Sequence, residues 1–386
     1  MSNVTWTNKK LGDITKLKYG KEKASRNRVG GDIPVYGSGG INGYHNEPLV
    51  KEDCIIIGRK GSIGSTYFAE GGCWPIDTVF YTLGSEDVDL KYLYFMIRYL
   101  PFQNMDTVKP GLNITFAESL DVRIPNIEYQ KKIVKKINFL EQKTKIIDLQ
   151  EERIINLILK LYEYYFLDFK ILKKDEQKTV RKGRLKTLVP TMWEVENFLV
   201  NPLFKIVKNT VTSFEGEKKY ISTRDIENGS INGYEFTDYK NKKSRANLYV
   251  EKNSILFAKM IKTVKHYFFM DNCEEIIDNC IFSTGFFNIV PIEDAFEYVT
   301  AATMHEHFEN RKDFVGYAKS TQQAINEDEL KLIDLVIPDT KSLLKFKKIT
   351  NPFFSKLEIL RNEKMKIKEI QERITQPLIF GNLLVE

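Results

Sequence analysis

Apolar and polar positions follow two different rhythms along this chain, and the change of rhythm marks its organisation. From Glu128 to about Phe169 the sequence EYQKKIVKKINFLEQKTKIIDLQEERIINLILKLYEYYFLDF contains no Gly and no Pro. Within it Ile133, Ile137, Leu140, Thr144, Ile147, Glu151, Ile154, Ile158, Leu161 and Tyr165 succeed one another in alternating steps of four and three. Eight of these ten are apolar or aromatic, which predicts a long helix with a coiled-coil seam interrupted at Thr144 and Glu151. Near the C-terminus Phe353, Leu357, Leu360, Lys364, Ile367, Gln371, Ile374 and Leu378 repeat the spacing, with Lys364 and Gln371 as the polar members. Pro352 is expected to open or kink this second helix, since proline is tolerated in a first turn. Each helix, some 30 to 40 residues at about 1.5 Å per residue, would reach roughly 45 to 60 Å. They read as spacers whose seams need each other.

Ahead of each helix the rhythm is that of short strands. EDCIIIGRKGSIGSTYF and KNSILFAKMIKTVKHYFFM are β-branched and aromatic runs broken by Gly or Lys, the chemistry of strand and turn. LKYLYFMIRYL and AFEYVTAATMHEHF have the length and apolar spacing of short helices. The two halves also match in order: Trp6 with Trp193, the INGY of Ile41–Tyr44 with that of Ile231–Tyr234, LVKEDCIIIGRKGS with YVEKNSILFAKMIK, and DVRIP with DLVIP. The separation between partners only grows along the chain, which implies two divergent copies of one domain, the second with loop insertions. The expected architecture is α+β: two pseudo-repeated globular domains, 1–127 and 173–340, separated by two long antiparallel coiled-coil helices, 128–172 and 341–386.

Composition narrows the class. At 386 residues the chain exceeds the ~150 residues of a single typical domain, and 42% apolar with 28% charged residues is ordinary for globular protein. No signal peptide or membrane span is expected from the pattern. The four cysteines, Cys54, Cys73, Cys273 and Cys280, lack CxxC spacing and read as small buried hydrophobes in a reducing, cytoplasmic setting. Fifty-eight Lys plus Arg against 52 Asp plus Glu leave +6, a mild excess that permits a polyanionic partner.

Candidate chemistry is then a matter of elimination. VYGSGGINGY (Val35–Tyr44) and GRKGSIG (Gly58–Gly64) are glycine-rich, but neither ends in GKS or GKT and neither is followed by a clear helix whose N-terminus would take a phosphate. NPFF (Asn351–Phe354) approximates the signature of amino-methylating DNA methyltransferases, yet lacks the second proline and opens a helix with no cofactor loop upstream. His305 and His307 stand two apart, which on a helix turns them to different faces rather than to one metal, so a solvated helix surface is expected. No Ser-His-Asp, Cys-His or poised carboxylate grouping is found, and no catalytic residue, metal or cofactor is expected.

Binding remains. The matched strand–turn stretches carry Arg59, Lys60 and Ser62 in one copy and Lys259, Lys262, Thr263, Lys265 and His266 in the other. Arg and Lys reach phosphates or guanine edges, and Ser and Thr donate to either. Paired basic loops in a repeated domain suit a two-part DNA site. The expected DNA-facing residues are Ser38 and Tyr44 of the glycine-rich loop with Arg59, Lys60 and Ser62, then Arg224, Lys259, Lys262, Thr263, Lys265 and Gln322 of the Ser320–Gln323 stretch. The expected helix and partner seam comprises Ile137, Leu140, Ile147, Ile154, Leu161, Leu357, Leu360, Ile367 and Ile374. A coiled-coil interaction scaffold without DNA contact is the alternative.

The ordered set W…KLGDI, IPVYGSGGING, CIIIGRKGSIGSTYF…WPIDTVFY and two IP-plus-long-helix segments resembles the specificity (S) subunit of type I restriction–modification systems, and the resemblance spans nearly the whole chain. It implies a non-enzymatic reader of double-stranded DNA. Each domain would be a target recognition domain engaging one half of a bipartite sequence, and the helices would set the half-site spacing. Two methyltransferase (modification) subunits would dock on them and supply S-adenosylmethionine chemistry, with a restriction subunit as a further partner. The second copy has AKMIKTV where the first has GRKGSIG, the divergence that reading different half-sites requires.

Overall fold

The protein is described here by a computed structural model, for residues 4–22, 29–102, 111–185, 188–227, 229–317 and 323–385. The chain divides into two compact units, Met1–Lys143 with Ile367–Glu386, and Thr144–Lys366.

In the first unit β1 (Trp6–Lys10), β2 (Lys18–Tyr19), β3 (Ile33–Gly37), β4 (Gly40–His45), β5 (Cys54–Gly58), β6 (Thr66–Ala69), β7 (Trp74–Pro75), β8 (Val79–Thr82) and β9 (Asp121–Pro125) are joined by short helices α1 (Leu11–Ile14), α2 (Leu90–Ile97) and α3 (Ile114–Ser119). An antiparallel sheet runs β2-β8-β5-β6, and a second sheet places β3 between β4, antiparallel, and β7, parallel. The isoleucine run explains why β5 is central: Ile55 and Ile57 enter one apolar cluster with Leu11, Phe80 and Tyr92, and Ile56 enters another with Tyr36, Cys54 and Cys73. Each such side chain, fully removed from water, contributes about 1.5–3 kcal/mol. β1 pairs with β9, Trp6 opposite Pro125.

The second unit contains the pair β10 (Thr179–Val180) and β11 (Val189–Pro190), then β12 (Glu194–Asn197), β13 (Phe204–Ile206), β14 (Glu217–Ile221), β15 (Ile226–Glu227), β16 (Ser230–Ile231), β17 (Glu235–Asp238), β18 (Ala246–Leu248), β19 (Ile255–Ala258), β20 (His266–Phe268), β21 (Cys280–Ser283), β22 (Phe286–Pro291) and β23 (Asp334–Ile337). Its sheet β13-β22-β19-β20 repeats the order of β2-β8-β5-β6. β14 lies antiparallel to β17 and parallel to β21 as β3 does to β4 and β7, and β12 pairs with β23 as β1 does with β9. The match reaches single hydrogen bonds. The Arg59 N–H donates to the Thr78 carbonyl (3.0 Å) and the Leu112 N–H to the Arg59 carbonyl (2.8 Å). In the other copy the Lys259 N–H donates to Gly285 (2.9 Å) and the Ile325 N–H to Lys259 (2.8 Å).

One of the four matched sequence segments is not equivalent in the fold. The first INGY lies inside β4, with Ile41 opposite Tyr36. The second starts in β16 and ends before β17, so that Glu235 faces Tyr220. The inserted β15–β16 hairpin displaces those four letters from the ladder.

The helices are α4 (Ile127–Tyr162), continued by a π-helical turn at Glu163–Leu167, then α5 (Glu274–Asn279), α6 (Phe296–Met304), α7 (Glu306–Tyr317), α8 (Glu327–Leu330) and α9 (Thr340–Phe380). Pro352 does not open α9, because Asp339 caps it earlier, accepting from the Ser342 N–H (3.0 Å) and Oγ (2.8 Å). Residues 127–143 and 367–380 of the long helices belong to the first unit, the intervening parts to the second. In the first unit Ile133 and Ile137 join a cluster with Leu378 and Ile379, while Leu140 and Ile374 are half-buried. In the second unit Ile158 and Leu357 share a cluster against which Ile154 and Leu161 pack. Ile147, Leu360 and Ile367 are buried. The two charged seam positions meet: Glu151 lies 3.6 Å from Lys364 and 3.7 Å from Arg361, and accepts from Ser230 Oγ at 2.8 Å. Farther along this chain segment Phe166 packs edge-to-face against Phe346, so within this unit the pair runs antiparallel.

His305 departs from the solvated surface expected of it. It ends α6, is buried, and its Nε2 lies 3.1 Å from Glu163 while its ring packs on Tyr162. His307 is exposed.

Candidate nucleic-acid interface

In the first unit the chain leaves β5 at Gly58 and returns through Arg59–Ser65. Gly61 and Gly64 take φ of 75° and 78°, the left-handed region that favours glycine. A Cβ on Gly58 would stand 2.1 Å from the Ser62 carbonyl oxygen. Ser65 closes the loop, its Oγ lying 2.8 Å from the Ser62 carbonyl and 2.5 Å from that of Ser38. The turn of Ser38 and the loop of Arg59–Ser62 are therefore brought side by side. Tyr44 is not among them; it sits exposed opposite Pro34, at the other end of the β3–β4 ladder. Lys60 and Ser62 are exposed, with Lys60 3.7 Å from Asp77. Arg59 is half-buried, its Nη1 donating to the Asp77 carbonyl at 2.9 Å and its guanidinium lying over Tyr19 and Phe80.

In the second unit the equivalent loop runs from Lys259 to Lys265. Lys259 Nζ lies 4.9 Å from the centre of the Phe287 ring, as Arg59 lies over Phe80; burial pushes its pKa down, only partly countered by Glu327. Lys262, exposed at φ 58°, places Nζ over Tyr317, and the hydrogen bond to that phenol raises its pKa. Thr263 is half-buried. Lys265 is tied back, its Nζ donating to the Ile226 carbonyl of the inserted hairpin at 2.8 Å. Arg224 stands exposed between Glu235 and Asp225. Its neighbour Thr223 touches the loop, with Oγ1 3.9 Å from Met260 Sδ. Gln322 lies outside the described residues; the carbonyl of Gln323 accepts from the Ile261 N–H at 3.0 Å.

A group beside this loop escaped sequence reasoning. Lys240, Lys242, Lys243 and Arg245 precede β18, and the Arg245 carbonyl accepts from the Thr284 N–H (2.9 Å), one residue from the Gly285 carbonyl that binds Lys259. Lys240, Lys243 and Arg245 are exposed, beside the exposed rings of Phe236 and Tyr239. The signal was present as four cations in six residues, KNKKSR, within one basic stretch. A hydrogen bond from Lys243 and the charge of Arg224 hold the Glu235 carboxyl below its ordinary value. Exposed cations interleaved with aromatic rings beside a close-approaching backbone can take phosphates and stack on or bond to bases. Among the described residues no cluster of three or more His, Cys, Asp or Glu could hold a metal ion, and no helix is long and apolar enough to cross a membrane.

Comparison with known proteins agrees with this chemistry. Residues 3–160 match the family of the type I restriction modification DNA specificity domain. Over 435 aligned residues the chain is 25% identical to the type I restriction enzyme MjaIX specificity subunit of Methanocaldococcus jannaschii, covering 99% of this chain and 94% of that protein. The fold is similar to the crystal structure of the type I restriction–modification system S subunit from M. genitalium, with a TM-score of 0.57 at 13% identity, over 98% of this chain and 97% of the other.

Proposed function

We propose, from the match of residues 3–160 to the type I restriction modification DNA specificity domain and the nearly full-length likeness to a type I specificity subunit, that the chain is a DNA target-recognition subunit whose two copies each read one half of a bipartite site. The observation that carries the proposal is the pair of equivalent loops. Arg59 and Lys259 occupy the same place in the backbone hydrogen bonding and lie over the equivalent rings Phe80 and Phe287, while Lys60, Gly61 and Ser62 give way to Met260, Ile261 and Lys262. A constant frame with changed side chains is what two different half-sites ask of one fold. The recognition domains are 1–127 and 173–340. The helices of 128–172 and 341–386 set the half-site spacing and dock two modification subunits, in the cytoplasm. This chain supplies no catalytic group; methyl transfer, and any cleavage, belong to the partners.

The test is binding by the complex assembled with its modification subunits, on duplexes carrying the motif it methylates, identified by sequencing methylated DNA. Base changes in one half should cost roughly 1–3 kcal/mol each. Lys60→Ala and Lys262→Ala should each relax discrimination in one half only. No added DNA binding when the chain joins the complex would favour a scaffold without DNA contact, and equal binding to cognate and unrelated duplexes would deny base reading.

A further inference from the structure

We propose that Lys312 is a positioning residue for the second recognition loop, an ammonium staple that fixes the 259–265 backbone from beneath. The inference rests on the reading that this loop meets DNA. Lys312 has no solvent exposure, rare for a lysine. Its Nζ lies 2.5 Å from Glu309 and donates to the carbonyls of Ala258 (3.4 Å), just before the loop, and Thr263 (3.2 Å), within it. The other oxygen of Glu309 meets His266 Nε2 at 2.8 Å, where β20 resumes. One helix face does all of this. Glu309, Lys312, Asp313 and Gly316 follow the 3-4 spacing of α7, so they share a side. Asp313 accepts from the Lys262 N–H at 2.8 Å, holding a non-glycine residue at positive φ. Gly316 leaves room for Ile261, whose Cγ2 would stand 2.4 Å from a Cβ there.

A purely stabilising role does not call for this chemistry, because buried ion pairs are commonly replaced by apolar groups without loss of stability. Binding one carboxylate and two carbonyls at once does call for it, and the three donors of an ammonium provide it. The two carbonyl bonds go to backbone and so fix the loop's course without using any of its side chains. In the first copy glycines and Ser65 hold the equivalent loop locally; in the second, α7 does it from below.

The test uses the full chain assembled with modification subunits and duplexes carrying the methylated motif, with single base changes in either half. The variants are Lys312→Met; an apolar replacement of the trio, His266→Phe with Glu309→Leu and Lys312→Met; and Lys259→Ala with Lys262→Ala. Hydrogen exchange at the Ile261 and Lys262 amides follows loop order in the full chain. The inference expects the trio variant to melt with the parent, to exchange faster at those two amides, and to lose roughly tenfold or more discrimination in one half-site with the other half intact. Full discrimination in both halves, or unchanged exchange in Lys312→Met, overturns it while leaving the loop reading in place. Equal loss in both halves also overturns it, as a global effect. If Lys259→Ala with Lys262→Ala changes neither half, the loop reading itself fails and the staple's role in recognition falls with it.

Discussion

The two units solve the same problem with different materials. In the first, a loop leaves its strand at Gly58, turns at two glycines of positive φ and is closed by a serine; the helix seam of that unit is aliphatic, Ile133 and Ile137 with Leu378 and Ile379. In the second, the strand ends in Ala258, the loop rests on a buried Lys–Glu–His trio, and an otherwise apolar seam is interrupted by a charged cluster, Glu151 with Arg361 and Lys364. Sheet order and loop position are common to both. Divergence has therefore acted on how the loops and seams are held as much as on the residues they present.

The contrast is broken most strongly at the charged seam. Glu151→Leu takes from the Arg361 guanidinium, 3% exposed over the rings of Phe268 and Tyr267, the carboxylate paired with it at 3.7 Å, and takes the acceptor from Ser230. A buried charge left without its partner costs about 3–5 kcal/mol, to be read as a lower urea midpoint. Adding Arg361→Met should recover most of that loss. If Glu151→Leu alone is neutral, the seam charges are not coupled.

The next effect separates the equivalent strand ends. Gly58→Ala puts a Cβ against the Ser62 carbonyl oxygen and should destabilise the chain by about 1–3 kcal/mol through overpacking. The reverse change in the other copy, Ala258→Gly, costs only the ~0.5–1 kcal/mol of added backbone freedom. Thermal melts of the two variants side by side decide the matter, and equal losses would deny that the loops are closed differently.

The trio also gives the second unit an acid sensitivity. Burial lowers the pKa of His266 despite the opposing carboxylate of Glu309, with Lys312 and Arg361 pushing the same way as burial. A histidine kept neutral in this way contributes its full stability above about pH 6.5 and loses it as pH falls below that value. The loss is at most about 1.4 kcal/mol per pH unit. Glu309, held below its ordinary value by His266 and Lys312 although burial alone would raise it, gives way only at lower pH. Melting between pH 7.5 and 5.5 should show a slope that His266→Gln flattens.

The sequence made the strands and both long helices legible because each is written locally, as β-branched runs or a 3-4 seam. It also marked Glu151 and Lys364 as the charged exceptions among the polar positions of the two seams, yet only the packed helices reveal that these two answer each other. Lys312 was invisible for a similar reason: nothing local distinguishes a staple from a solvated lysine, and its backbone partners Ala258 and Thr263 are distant in sequence, as is the His266 that meets Glu309. His305 misled because spacing on one helix says nothing of Glu163 on another segment. The repeated INGY misled in the opposite sense, since an inserted hairpin moved identical letters to unlike places.

The smallest predicted effect tests whether cations outside the loops distinguish the units. Lys240 and Arg245 are exposed, border the strand next to the Lys259 loop, and belong to a basic run with no counterpart in the matched segments of the first copy. Lys60, by contrast, is partly neutralised by Asp77 at 3.7 Å. Cations placed this way meet phosphates and release counterions, so removing one weakens binding to all sequences alike. Lys240→Ala with Arg245→Ala should therefore lower affinity for cognate and unrelated duplexes equally, and reduce the slope of log K against log salt by about one for each phosphate no longer neutralised. Lys60→Ala should change that slope less and discrimination more. A selective loss on the cognate duplex after Lys240→Ala with Arg245→Ala would move this run from positioning to base reading, and the difference between the units would then lie in what they read as well as in how they are held.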